Sequence, residues 1–202
     1  MNDQRHERSL EFWFDFASTY SYVAAMRIEK LCRDAGVSLT WTPFLLGPIF
    51  GMQGWDDSPF NLNPRRGAYM WRDVERLTTK FGLPWRRPTR FPRSSTLAAR
   101  VAASAAGEPW LGDFIRAAFV ANFGDDRDIG ERPVVEAVLR GLDQPAEILV
   151  TRALAPDRRG NLRSNTERAI DAGIFGAPDC LVDGELFWGE ESLEDAIAWA
   201  GR

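Results

Sequence analysis

The chain has 202 residues, of which 45% are hydrophobic and 27% charged, the make-up of one globular domain with room for an insertion. A net charge of −4, from 25 basic and 29 acidic residues, argues against a general nucleic-acid-binding surface. No apolar run approaches the ~18–20 residues of a membrane span, Met1–Ser9 is polar rather than leader-like, and two cysteines, Cys32 and Cys180, are too few for a disulfide scaffold.

These features favour a soluble cytoplasmic protein. The single histidine, His6, stands in the polar N-terminal tail. Mechanisms that need a placed imidazole are thereby largely removed. An enzyme of this composition borrows its chemistry from a cofactor.

Leu10–Phe16 is predicted as a buried strand, rich in aromatics. The amphipathic run Tyr20–Ala35 follows as a helix, closed by Gly36. Val37–Leu46 is predicted as a second strand, with Pro43 marking an edge or an end. Strand–helix–strand is the unit that lays parallel strands beside a packed helix. Gly47–Pro64 reads as a loop rich in Gly, Pro and Asn. Helices are then predicted at Arg65–Phe81, Ser94–Ala106, Pro109–Phe123, Pro133–Gly141, Ala146–Ala153 and Asp157–Ala172. The loop Gly82–Arg93 is stiffened by Pro84, Pro88 and Pro92. Cys180–Asp183 and Glu185–Trp188 flank Asp183-Gly184, a two-residue hairpin signal, and a last helix covers Ser192–Ala200. The layout β-α-β, helical block, β-β-α describes an α/β, thioredoxin-like fold. Its core is expected at about 8–64 and 173–202, with a helical insertion at about 65–172 forming a lid over a cleft.

Charge is unevenly spread. Residues 65–100 carry a net +8, nearly all arginine, whereas residues 179–195 hold seven acids and no cation. The plain reading is solvated helix faces. The functional reading is a cleft between a basic and an acidic wall, suited to a ligand with carboxylates and an ammonium group. The stretch Trp85-Arg86-Arg87…Arg90-Phe91-Pro92-Arg93 mixes aromatics and arginines as single-stranded nucleic-acid sites do. The acidic chain and the interleaved prolines favour a rigid loop, solvated or facing carboxylates.

Two segments carry the chemistry. In Phe14-Asp15-Phe16-Ala17-Ser18-Thr19-Tyr20-Ser21-Tyr22, Ser18 stands where a strand gives way to a helix. It reads as an N-cap, as an anion or thiolate site at a helix start, or as both. In Gly173-Ile174-Phe175-Gly176-Ala177-Pro178-Asp179-Cys180, a proline directly before a strand is either an ordinary turn proline or a cis peptide facing that helix. Cys32, inside a helix, and Cys180, on a core strand, read as buried small hydrophobes.

Together these segments resemble 2-hydroxychromene-2-carboxylate isomerases, relatives of kappa-class glutathione transferases and of the DsbA family. The resemblance runs from about Leu10 to Ala200. Asp15–Tyr22 is similar to the family's Asp-Phe-x-Ser-Pro-Tyr-Ser-Tyr. Gly47-Pro48-Ile49-Phe50, Gly54-Trp55, Ser58-Pro59-Phe60-Asn61, Gly67-x-Tyr69-Met70-x-Arg72-Asp73, Phe91-Pro92-Arg93, Gly173–Pro178 and Phe187-Trp188-Gly189 extend it.

The resemblance implies glutathione as cofactor, a small aromatic carboxylate as substrate, a homodimer and a place in aromatic catabolism. It implies Ser18 as the catalytic serine, at the first cysteine position of C-x-x-C, and Ser21 at the second, so no disulfide forms there. Ala177, before Pro178, takes the cysteinyl part of glutathione. Gly189-Glu190-Glu191-Ser192 takes the place of the family's Gly-Asn-Asp-Arg turn at the γ-glutamyl end. Asp56 stands for a family Asn, Arg66 for a family Lys and Thr19 for a family Pro. The implied reaction is a cis–trans rearrangement through transient thiolate addition. A kappa-like glutathione transferase or peroxidase, and a non-catalytic thioredoxin-fold binding module, are the alternatives.

Overall fold

Along β1 (Ser9–Phe14), Leu10, Phe12 and Phe14 alternate with Glu11 and Trp13, and both faces of the strand are covered. This is the pattern of a strand in the middle of a sheet. The computed structural model describes residues 8–202, so His6 lies outside the described residues. α1 (Thr19–Ala35) buries Tyr22, Ala25, Ile28 and Cys32 on one side, and Gly36 at φ +68° ends it. The left-handed backbone there favours glycine. β2 (Ser38–Pro43) returns parallel to β1 and lies at the sheet edge, with Pro43 as its last residue.

The expected loop 47–64 is largely helical. α2 (Leu46–Met52) and α3 (Pro59–Leu62) lie within it, followed by α4 (Pro64–Phe81). Tertiary contacts outweigh the local Gly/Pro signals. Ile49 packs with Trp13 and Phe44, Leu46 N–H donates to the Asp15 carboxylate, and Pro59 falls in a first turn capped by Ser58, where no N–H is needed. α5 (Thr96–Ser104), α6 (Leu111–Phe123), α7 (Arg132–Arg140), α8 (Ala146–Leu154) and α9 (Arg159–Asp171) follow near their expected places.

The chain then returns to the sheet. β3 (Asp179–Val182) pairs antiparallel with β1, and β4 (Glu185–Trp188) with β3, giving the order β2-β1-β3-β4. Asp183 (φ +50°) and Gly184 (φ +82°) make the hairpin turn. A 3-10 turn (Glu190–Ser192) leads into α10 (Leu193–Ala200). One face of the sheet, with Phe12 and Phe14, packs in the larger cluster with α1, α6 and α10. The other face, with Trp13, packs on α2 and α9. The result is a thioredoxin-like DsbA fold. No helix among the described residues is long and apolar enough to cross a membrane.

The loop 82–93 takes the carboxylate-facing form of the expectation, with Arg86 and Arg93 on Asp126 and Arg90 on Asp128. Arg93 is buried, donates to the Asn122 side chain and to the carbonyls of Asn122, Asp126 and Arg127, and pairs with Asp126. Its carboxylate partner is internal, so this arginine holds the loop to α6 rather than facing a ligand.

Candidate active site

The turn from β1 into α1 is fixed by Asp15. Its carboxylate accepts from Ala17 N (2.9 Å) and Leu46 N (2.8 Å), while burial pushes this carboxyl above its ordinary range. Ser18 N donates to the Asp15 carbonyl at 2.9 Å, which sets Ser18 in an extended conformation at the helix start. The Ser18 hydroxyl then makes two bonds. It accepts from Ser21 N at 3.1 Å and donates to the Ala177 carbonyl at 3.0 Å. Ser18 is therefore an N-cap and also a bridge to the segment before β3. The first turn of α1 holds no acidic residue, and the buried hydroxyls of Thr19 and Ser21 have no hydrogen-bond partner. This end of the helix is electropositive and carries spare donors.

The opposing wall comes from residues 173–178. Ile174 anchors this loop in the cluster around Trp13, and the Ala177–Pro178 bond is cis. Gly189 N donates to the Pro178 carbonyl at 2.9 Å, tying the end of β4 to the same loop. Gly176 is required by close approach: a Cβ there would lie 2.5 Å from Trp188 Nε1. The Trp188 ring in turn contacts Phe175 at 4.9 Å. Ser18, Ala177, Pro178 and Gly189 are thus joined by direct hydrogen bonds.

The other expected residues sit differently. Glu190 is buried and ion-paired with Arg27 of α1, which also pairs with Glu194 and lies over the Phe81 ring at 3.9 Å. Burial pushes the Glu190 carboxyl up against the pull of Arg27. Glu190 is committed inside the protein, whereas Glu191 beside it is exposed. Asp56 lies in the exposed stretch between α2 and α3, and Arg66 is exposed in the first turn of α4. Among the described residues no hydrogen bond or ion pair joins either side chain to Ser18.

Arg66 shares a helical stripe with Tyr69, Asp73, Arg76 and Lys80, at three- and four-residue spacings along α4. Tyr20, two residues after Ser18, reaches this stripe by donating to Asp73 at 3.1 Å. Burial raises the Tyr20 hydroxyl pKa, and the charges of Asp73 and Glu191 raise it further. The mixed wall of α4 and the acidic turn after β4 therefore converge at Tyr20.

Sequence reasoning passed over Asp15, Tyr20, Asp73 and Arg27 as site residues. The first three lie inside segments that carried the family resemblance. Arg27 left no signal, since one arginine on a polar helix face looks like any other. Cys32 and Cys180 are both buried, and burial pushes the Cys32 thiol up to about 11 and the Cys180 thiol higher still.

A four-stranded sheet, a helix start capped by Ser18 and a cis-proline loop facing it define a thioredoxin-fold protein whose cysteine positions hold serine. Comparisons with known proteins agree. Residues 9–197 match the family of the DSBA-like thioredoxin domain. A 2-hydroxychromene-2-carboxylate isomerase of Sphingobium xenophagum is 31% identical over 193 residues, covering 93% of this chain and 95% of that one. Glutathione S-transferase kappa 1 of Homo sapiens is 26% identical, covering 93% and 88%. A solved 2-hydroxychromene-2-carboxylate isomerase structure superposes with a TM-score of 0.85 at 22% identity, over 96% of this chain and 95% of that one. The chain belongs to the DsbA-like thioredoxin family, in the branch of the 2-hydroxychromene-2-carboxylate isomerases, and is an isomerase.

Proposed function

We propose that the protein is a glutathione-dependent isomerase of aromatic carboxylates of the 2-hydroxychromene-2-carboxylate type. The observation that carries the reading is the Ser18–Ala177 hydrogen bond, which puts a hydroxyl donor, a helix start and an extended backbone segment in one place. The residues present suit a thiol peptide. Ala177 presents a carbonyl for pairing, Thr19 and Ser21 hold unpartnered hydroxyls, and exposed Glu191 is an acceptor for an ammonium group. Arg66 offers a fork for a carboxylate.

Held along the 177–178 backbone with its sulfur at Ser18, glutathione would supply a nucleophilic thiolate for reversible addition to the substrate's double bond. The Ser18 hydroxyl has a single proton. When a ligand N–H takes over the Ala177 carbonyl, the Ser18 O–H is free to turn and donate its hydrogen bond to a thiolate sulfur. A charge-assisted hydrogen bond is worth about 1.5–3 kcal/mol and a helix start about 0.3–2 kcal/mol, enough to keep a thiol of pKa ~8.5 largely ionised at neutral pH. A free thiol of that pKa is already about a tenth ionised near pH 7.5, so at that pH ionisation supplies at most about tenfold. The walls around Ser18 supply the remainder by positioning. In this reading the thioredoxin-like core spans about 8–64 and 173–202, and helices of the 65–172 insertion other than α9, which packs on the Trp13 face of the sheet, cover the cleft.

Calorimetric titration with glutathione, followed by an isomerisation assay with and without it, tests the proposal. The expected result is binding, and turnover that requires glutathione without consuming it. Consumption would instead indicate the transferase chemistry named in the kappa-class relative.

A further inference from the structure

Asp179 opens β3 directly after Pro178, is 1% exposed, and has neither carboxyl oxygen hydrogen-bonded. It lies in register with Trp13 on β1 and with Trp188 on β4. Trp13 is equally buried, and its indole Nε1 also has no partner. This face of the sheet is walled by Ile49 of α2, Ala169 and Ile170 of α9, and Ile174. The charged groups flanking it are Glu11 of β1 and Arg168 of α9. They pair with each other at 2.8 Å, with Arg168 over the Trp13 ring at 4.9 Å. β4 brings Leu186 and Trp188 and the preceding loop brings Ile174 and Phe175, none of them charged. The next residue, Cys180, packs on the opposite face.

A carboxylate in such a place has neither donor nor cation to replace water, which strongly disfavours the charged form. Burial accordingly pushes this carboxyl up to about 8. The segment it belongs to is the one that holds the site together. The Ala177 carbonyl receives the Ser18 hydroxyl, and the Pro178 carbonyl receives Gly189 N–H.

We propose that Asp179 is a positioning residue, carried as the neutral acid so that residues 177–179 stay packed on the sheet with the Ala177 carbonyl against Ser18, and that loss of its proton loosens this segment. The functional consequence rests on the glutathione reading of the site; the titration and the loosening do not. Burial also raises the Asp15 and Glu190 carboxyls nearby, so the contribution of Asp179 is read as the difference between wild type and a variant that lacks only its carboxyl.

The test compares wild type with Asp179→Asn. Carboxyl 13C NMR, with the variant identifying the Asp179 signal, is expected to show that signal titrating well above pH 6. Hydrogen exchange of residues 177–181 is expected to quicken with pH beyond the intrinsic rate in wild type and not in the variant. Affinity for S-methylglutathione, whose sulfur cannot ionise, is expected to fall about fivefold more in wild type than in the variant between about pH 6.5 and 9. A carboxyl titrating near pH 4, or identical exchange profiles in the two proteins, would overturn the proposal. If neither protein binds the probe, the glutathione reading fails, and NMR and exchange still decide the role of Asp179. Asp179→Ser serves in the same comparison if the Asn variant does not accumulate.

Discussion

The Ser18 hydroxyl and the Ala177 carbonyl, 159 positions apart in the chain, meet at 3.0 Å. With Ser21 N–H on its lone pair, the hydroxyl has both of its main roles occupied. Any ligand that uses this proton has first to replace Ala177 as its acceptor. Binding along the 177–178 backbone and activation at Ser18 are thereby linked.

Ser18→Ala separates the two roles. Loss of the cap is expected to lower stability by about 0.5–2 kcal/mol. Loss of one charge-assisted donor is expected to lower glutathione-dependent turnover about 10–100-fold, with glutathione still bound. Steady-state isomerisation and the spectroscopic thiol titration of bound glutathione check this. The thiol pKa should rise, and unchanged turnover would leave Ser18 as a helix cap only. Ser21→Ala, one turn further in, is expected to be much milder.

The acidic turn after β4 divides its work between neighbours. Arg27→Met leaves Glu190 buried without its partner and is expected to cost about 3 kcal/mol in urea denaturation. Glu191→Gln should leave the denaturation midpoint unchanged and raise the KM for glutathione. An opposite pattern would mean that Glu191 is the structural residue and Glu190 the ligand contact.

Gly67 in α4 faces the chain of α3 so closely that a Cβ would lie 2.3 Å from the Phe60 carbonyl oxygen. Gly67→Ala is therefore expected to destabilise the protein by about 1–3 kcal/mol, despite alanine's better helix propensity. Thermal unfolding with the exposed Gly160→Ala as control, where no atom lies within 4 Å, would expose the difference.

Stability should also depend on pH through Asp179. Its folded pKa of about 8 lies above its ordinary value of 3.8. Between these limits the unfolded chain has released the proton and the folded chain has kept it. Unfolding then becomes easier as pH rises, by up to about 1.4 kcal/mol per pH unit, and the slope vanishes above the folded pKa. Asp179→Asn should remove this slope, so the difference between the two proteins, measured by urea denaturation from about pH 5 to 9, isolates the group.

The frame of this protein was legible because its signals are local. Alternating aromatics marked β1, Gly36 closed α1, and Asp183-Gly184 marked the hairpin. The segment 47–64 was not, because α2 is held by Ile49 against Trp13 and by the Asp15 carboxylate on Leu46 N, partners that lie outside the segment. Ser18 and Ala177 were legible as a pair through the family pattern. The commitment of Glu190 to Arg27, and the burial of Arg93 and Asp179, depend on which element packs over them, and a single sequence carries no local mark of that.

The two cysteines offer a practical control. Cys32 and Cys180 are buried thiols whose pKa values are raised, so at neutral pH they hold almost no nucleophilic sulfur. The native enzyme can therefore be treated with iodoacetamide, freed of reagent and assayed. Any sulfur dependence of the rate that then appears belongs to the thiol added to the cuvette, and the thiol specificity of the reaction can be mapped without a cysteine-free variant.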